Sequence, residues 1–277
     1  MQSKNTSSKH ELYLVLKDLR INNANAMPSP YIAGLPSMYG VVAMAKKLIN
    51  STLAPCHLIF DSVAISIGHF SMTGSQQKYP CHLYNDIRKH RNIRIITARK
   101  SYFKASIIIK VYSYSRSLEQ ATEWLNNNRH IDDLYNLRIC GGKALHPDKQ
   151  PSIECYSLDD LPELFSSLSG FMVADNIDLC RRERLVNEDA LDTLIRVIHE
   201  TSEKRNGWLV ATAVGYKAFG PMAYRENSRE QLPHTFCDPV IGLARLYRSS
   251  LIASVENFSG KIFWKRSKLD FLVEGTI

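Results

Sequence analysis

Acidic residues are missing from one long stretch of the chain. Between Ile87 and Leu118 there is no Asp or Glu, while nine cations stand there: Arg88, Lys89, Arg91, Arg94, Arg99, Lys100, Lys104, Lys110 and Arg116. Taking that +9 from the net +8 of the whole chain leaves about −1 elsewhere, so the basicity is one local feature on a nearly neutral body. Such a strip is the electrostatic footprint of a polyanion site, with a solvated charged hairpin as the plainer alternative. Apolar runs are short as well. None reaches the roughly 18 residues a membrane span needs. The first ten residues, MQSKNTSSKH, have no apolar core, so a secretory leader is not expected. The six cysteines (Cys56, Cys81, Cys140, Cys155, Cys180, Cys237) include no CxxC pair, which favours reduced thiols over a disulfide framework or zinc knuckle. Adjacent residues on a strand face opposite ways, so Cys56-His57 and Cys81-His82 are not expected to share a metal.

Motifs of common chemistries are lacking too: there is no P-loop, dinucleotide fingerprint, HExxH or nucleophile elbow, and no cofactor is expected. Lys89-His90 in the basic strip could serve acid–base cleavage of RNA, though a His among phosphate-binding cations is more often one more contact. The pairs Asp132-Asp133 and Asp159-Asp160 read as turn and helix acids, with no second acidic cluster to complete a two-metal site.

The chain does carry a clear order of elements. Glu11 to Arg20 alternates as a strand, with Leu12, Leu14 and Leu16 on one face. Arg20 to Gly40, RINNANAMPSPYIAGLPSMYG, reads as a loop that can hardly pack, followed by a helix over Met38–Asn50. That helix has Val41, Val42, Ala45, Leu48 and Ile49 on one stripe and Ser37 where an N-cap would stand. Strands follow at His57–Ile67, Arg94–Ala98 and Ala105–Tyr114, then a helix at Ser117–Asn128 and a short strand at Leu137–Cys140. Without the basic insertion the order is strand, helix, strand, strand, helix, strand. The expected fold is therefore α+β, a ferredoxin-like (RRM-like) βαββαβ arrangement over residues 1–145 with the insertion at about 72–104. Residues 146–277 read as a C-terminal α/β extension packed on it, or as part of one continuous domain. Helices are expected there at Leu158–Leu168, at Glu188–Glu200 (capped by Asn187, with Leu191, Ile195 and Ile198 inward) and at Val240–Val255. Strands are expected at Gly207–Tyr216 and Lys261–Lys268.

Several residue types suit nucleic acid. Asn22, Asn23 and Asn25 offer a donor and an acceptor to base edges and tolerate tight turns. Gly141-Gly142-Lys143 lets backbone approach a phosphate beside a cation. Tyr102 and Phe103 can stack on a splayed base. The aromatic octapeptide of a conventional RNA-recognition motif is missing, so base reading on an open sheet does not follow.

A strand followed by RINNANAMPSP, AGLPS and a helix resembles the start of the Csy-two proteins, the Cas-five subunits of type I-F CRISPR surveillance complexes. The resemblance continues at Leu137-Arg138-Ile139-Cys140-Gly141-Gly142 and at GWLVATAVGYKAFGPMAY (Gly207–Tyr224). It extends to the segment around Ile241-Gly242-Leu243 and to Phe263-Trp264. Together these blocks cover about a third of the chain, in order. The resemblance implies a cytoplasmic prokaryotic protein without catalytic residues. Its ferredoxin-like palm and hairpin thumb would grip the 5′ handle of the CRISPR RNA and cap a filament of Cas-seven subunits, next to a large subunit and the target DNA. On that footing the RNA contacts are expected at Arg20, Asn22, Asn23, Asn25, Arg88, Lys89, Arg91, Arg94, Arg99, Lys100, Tyr102, Lys104, Gly141, Gly142, Lys143, Tyr216 and Lys217. The stretch from Gly142 to Gly207 is shorter than many members suggest. In a compact variant Arg181, Arg182, Arg184, Lys204 and Arg205 would touch DNA. Endoribonuclease processing of the precursor RNA, or generic RNA binding by a basic arm, are the competing readings.

Overall fold

Alternation of Leu14 and Leu16 with Tyr13 and Val15 makes a strand, and that strand sits at the centre of the molecule, buried on both faces. The structure, a computed structural model, describes residues 9–73, 77–80, 95–114, 123–125, 127, 132–146, 152–201, 208–224, 226, 232–254, 261–268 and 271–276. In chain order the elements are β1 (Lys9–Asn25), α1 (Met38–Asn50), β2 (Ile59–Met72), β3 (Gln77–Pro80), β4 (Ile95–Ala98), β5 (Lys100–Tyr114), β6 (Arg138–Ile139) and β7 (Gly142–Leu145). Then come β8 (Glu154–Tyr156), α2 (Leu161–Ser167), β9 (Phe171–Asp175), α3 (Ile177–Glu183), α4 (Ala190–Thr201), β10 (Trp208–Ala218), β11 (Cys237–Arg248), α5 (Ser249–Ser254), β12 (Phe263–Arg266) and β13 (Phe271–Thr276). Among the described residues no helix is long and apolar enough to cross a membrane.

The protein is α+β, and among the described residues every strand pairing is antiparallel. One sheet runs β12-β13-β10-β11-β9-β2-β5-β1-β7-β6, with β8 added to β1. Trp264 lies opposite Val63, so β12 returns to β2 and the path from β2 through β9, β11, β10 and β13 closes on itself. Strands from beyond residue 145 thus share one sheet with those before it: β8 on β1, β9 and β12 on β2. β3 and β4 pair separately as an antiparallel hairpin, Gln77 opposite Ala98 and Pro80 opposite Ile95. Residues 81–94, with four of the basic strip's nine cations, lie outside the described residues, as does Arg116.

Two cores flank the central strands. On one side α1 lays Met38, Val41, Val42, Ala45, Leu48 and Ile49 on Leu14, Leu16, Ile65, Ile107 and Ile109. On the other, Tyr13, Val15, Ala64 and Ile108 meet Leu164 and Phe165 of α2, Ile252 of α5, and Phe263. Burial on both faces explains why Ile107-Ile108-Ile109 forms an unbroken apolar run. Leu179, Leu194 and Val197 pack α3 and α4 on Leu209 and Leu243 of β10 and β11.

Several expectations need correction. The chain stays in strand as far as Asn25, five residues into the expected loop, because β5 and β7 supply ladder partners there. Ser37 stands at the N-cap of α1 as expected, but its hydroxyl makes no capping bond and donates instead to the Ala213 carbonyl at 3.2 Å. The expected helix over Val240–Val255 is mostly β11, held between β10 and β9, and only Ser249–Ser254 turns helical. In α4 the cap is Asp189, whose Oδ1 accepts from the Leu191 and Asp192 amides at 2.8 Å, and not Asn187. Leu191 and Ile195 face solvent, while Leu194 and Val197 face inward. The Leu158–Leu168 helix is shorter, Leu161–Ser167, and the short β8, β9, α3 and β13 carried too little periodicity to be expected. Of the Ser117–Asn128 helix only 123–125 and 127 are described; they are helical, with Leu125 buried.

Candidate nucleic-acid interface

β1 carries two register shifts against β5, between Leu16 and Leu19 and between Ile21 and Ala24. Asp18 (φ 55°) and Asn23 (φ 61°) sit in the left-handed region at those bulges, where short polar side chains are tolerated and a bulge re-aims its neighbours. The first bulge pairs Asp18 with Lys104 at 2.9 Å. The second lets Asn23 Oδ1 accept the Tyr102 hydroxyl at 2.8 Å. So the asparagines expected in a loop sit instead on a bulged strand.

The β6–β7 hairpin turns at Cys140 (φ 49°) and Gly141 (φ 82°), two left-handed residues as a tight hairpin requires. Gly142 is buried: a Cβ there would stand 2.6 Å from the Ala24 amide nitrogen. It is a packing residue, buried against β1. Its absent side chain lets β7 close on β1, which sets Arg20 opposite Leu145 and Asn22 opposite Lys143. Arg20 also faces Lys104 on β5, and Lys143 faces Arg138 on β6. Residues directly opposite one another project to the same face. Arg20, Asn22, Asn23, Tyr102, Lys104, Lys143 and Arg138 therefore gather on one surface at the foot of the β3–β4 hairpin.

Within this group the charges differ in availability. Among the described residues Arg20, Lys143 and Arg138 have no ion-pair partner, and all three are exposed. Lys104, by contrast, is paired with Asp18. Tyr102 is 39 % exposed, with its ring free to stack and its hydroxyl anchored on Asn23. Asn25 is exposed; its backbone amide donates to the Cys140 carbonyl at 2.9 Å and its Oδ1 accepts from the Met27 amide at 2.9 Å, closing the turn that follows. Arg99 and Lys100 join β4 to β5, where the Arg99 carbonyl accepts from the Ala26 amide and the Lys100 amide donates to Thr73 Oγ1. The half-buried Arg99 has no hydrogen-bond partner for Nε among the described residues. Phe103, by contrast, is buried and stacks on Phe70, so it is unavailable to a base. Burial pushes the nearby Cys140 thiol up to about 12, partly opposed by its contact with the Ser37 carbonyl, so it remains a thiol at neutral pH.

The remaining expected residues are elsewhere or less accessible. Tyr216 is half-buried, edge-on to Tyr39 at 5.9 Å, its hydroxyl pushed upward by burial; Lys217 is exposed opposite Asp238. Arg181, Arg182 and Arg184 form a separate corner at the end of α3, bonded to Asp178 and to the Glu188 carbonyl. Arg88, Lys89, Arg91, Arg94, Lys204 and Arg205 lie outside the described residues. Asp18 and Arg138 were missed by sequence reasoning. The register of the Cys140-Gly141 hairpin, which sets Arg138 opposite Lys143, was the signal that could have found the second. Also missed was a cavity of about 730 Å³, an apolar cleft with Tyr31, Phe70, Phe171 and Trp208 in its walls.

Chemically, the surface offers unpaired cations to phosphates, one aromatic face, and asparagines able to read polar edges. A family profile described as CRISPR-associated protein (Cas_Csy2) matches residues 14–270, nearly the whole chain. No curated protein matches it.

Proposed function

The chain belongs to the CRISPR-associated Csy2 family, the Csy2 subunits of type I-F CRISPR complexes, and from that premise we propose that it is the non-catalytic subunit that grips the 5′ handle of the CRISPR RNA. The observation carrying this reading is the convergence of Arg20, Asn23, Tyr102 and Lys143 from three strands onto one exposed surface beside the basic hairpin. Phosphates would sit on the cations and a splayed base on the Tyr102 ring. The order β2-β5-β1-β7, with neighbours antiparallel, is the arrangement a ferredoxin-like palm requires, and β3–β4 with the intervening cations would be its thumb. A cytoplasmic ribonucleoprotein is the setting this implies, with Cas-seven backbone subunits and, where present, a large subunit and target DNA as partners.

The test is co-expression with a CRISPR array and the other complex subunits, followed by sequencing the captured RNA from its 5′ end. The expected result is one repeat-derived 5′ end, lost when Arg20→Glu and Lys143→Glu are combined while the melting curve is preserved. A heterogeneous RNA population, or the same RNA on the double variant, would refute the assignment of the handle to this surface. Cleavage of repeat RNA by the purified chain would refute the non-catalytic reading.

A further inference from the structure

The outward face of α1 is basic and unbalanced. Its exposed residues are Ala43, Lys46, Lys47 and Asn50, and the sequence from Met38 to Asn50 contains no acid at all. Solvent faces of helices usually mix both signs at i,i+4 spacing. Here a groove of about 290 Å³ on one flank is lined by Tyr39, Lys46, Lys47, Asn50 and Arg266. On the other flank a groove of about 310 Å³ is lined by Lys47, Ser51, Thr52, Asp133, Asn136 and Arg138. Lys47 borders both, so the two grooves form one path across the helix. At its far end Arg138 stands opposite Lys143, which belongs to the surface at the foot of the hairpin.

A helix-end Lys can simply complement the dipole, and Lys47 lies in the last turn of α1. That accounts for one cation and leaves Lys46, Arg138 and Arg266 unexplained. Among the described residues none of the four has an ion-pair partner. Among the described residues Asp133 is the one acid lining either groove. Glu274, the nearest acid along β13, faces Lys265 and accepts from the Ser267 hydroxyl at 3.4 Å.

We infer that Lys46, Lys47, Arg138 and Arg266 form a second phosphate-binding track that carries a single nucleic-acid strand across α1, continuing from the surface at the hairpin foot. The inference extends the handle-gripping reading and rests on it for the strand's starting point. The recognised chemistry is the phosphodiester backbone. It can come from the CRISPR RNA beyond its handle or from a single strand of DNA.

The test measures anisotropy of labelled 8-nucleotide RNA, 20-nucleotide RNA and 20-nucleotide single-stranded DNA on the full-length chain, across a salt series. The comparison is with the triple variant Lys46→Glu, Lys47→Glu, Arg266→Glu and its neutral counterpart with Gln at the same positions. All three positions lie at the surface, and a melting curve checks folding. The 20-nucleotide RNA should bind about tenfold tighter than the 8-nucleotide one, and the gain should vanish in both variants. Since each single-strand phosphate contributes about 0.7 to the salt slope, that slope should fall by about 2. The same pattern on DNA alone supports the track and names DNA as its strand. If the variants bind every oligonucleotide as the wild type does, with unchanged slope, the track is refuted. Variant-sensitive binding of the long strands with none of the 8-nucleotide RNA would overturn the site at the hairpin foot and leave the track standing. If the wild type binds no oligonucleotide, both fall.

Discussion

Gly141 and Gly142 are neighbours whose substitution should fail for different reasons. At Gly142 the obstacle is space: a Cβ would meet the Ala24 nitrogen at 2.6 Å, its Cα at 2.7 Å and its Cβ at 2.8 Å, all parts of a buried strand that cannot swing aside. Overpacking of this kind costs about 1–3 kcal/mol. At about 2–4 °C per kcal/mol for a chain of this size, Gly142→Ala should lower Tm by about 2–12 °C. At Gly141 nothing lies within 4 Å of a Cβ, and the obstacle is the backbone angle of +82°. Gly141→Ala should cost about 1–2 kcal/mol, and Gly141→Asn much less, because Asn visits that region readily. Gly142→Asn should be at least as damaging as Gly142→Ala. The assay is thermal melting of the four variants beside the wild type, with RNA affinity in parallel, since prising β7 from β1 also moves Lys143 away from Asn22. The reasoning is refuted if Gly142→Ala melts within a degree of the wild type, or if Asn is tolerated at 142 and not at 141.

Two further expectations concern side chains. Tyr102→Phe should retain RNA affinity, because stacking is kept, whereas Tyr102→Ala should lose about 1–3 kcal/mol of binding. Equal losses in titrations of the two would place the hydroxyl, and not the ring, in contact with RNA. At the α3–α4 corner, Arg196 binds Glu188 through Nε and Nη2, both at 2.7 Å, and that ion pair with the Thr193 hydroxyl draws the Glu188 carboxyl down to about 2. A depressed carboxylate stabilises above its ordinary value near 4.5 and loses that contribution as pH falls toward 2. Glu188→Gln should therefore lower the urea midpoint at pH 6 and make a smaller difference at pH 3; an equal difference at both would show that ionisation plays no part.

Much of the molecule was legible because it rests on local rules. The stripe of α1 and the alternation of β1 each come from one segment and one period. β11 was misread because its apolar positions fit a helical repeat as readily as a strand buried between two others. Only the pairing of Ala244 with both Val210 and Asp175 decides between them. The candidate site divides in the same way. Its residue types were visible as cations, asparagines and an aromatic near a glycine pair. Their availability was not: Gly142 and Phe103 are buried in packing, while Arg138 was overlooked.

By itself, the sequence determined the local basic excess, the central apolar strands, the helix that covers them and the order of blocks that marks the family, all of which depend on residues near one another in the chain. The tertiary structure alone decided that the second asparagine of the opening segment would meet Tyr102, and that Lys143 would stand beside Asn22. Both follow from bulges and strand register set by partners about 80 to 120 residues away. Long-range pairing of this kind is fixed by backbone closure and core burial, which no single stretch of sequence contains.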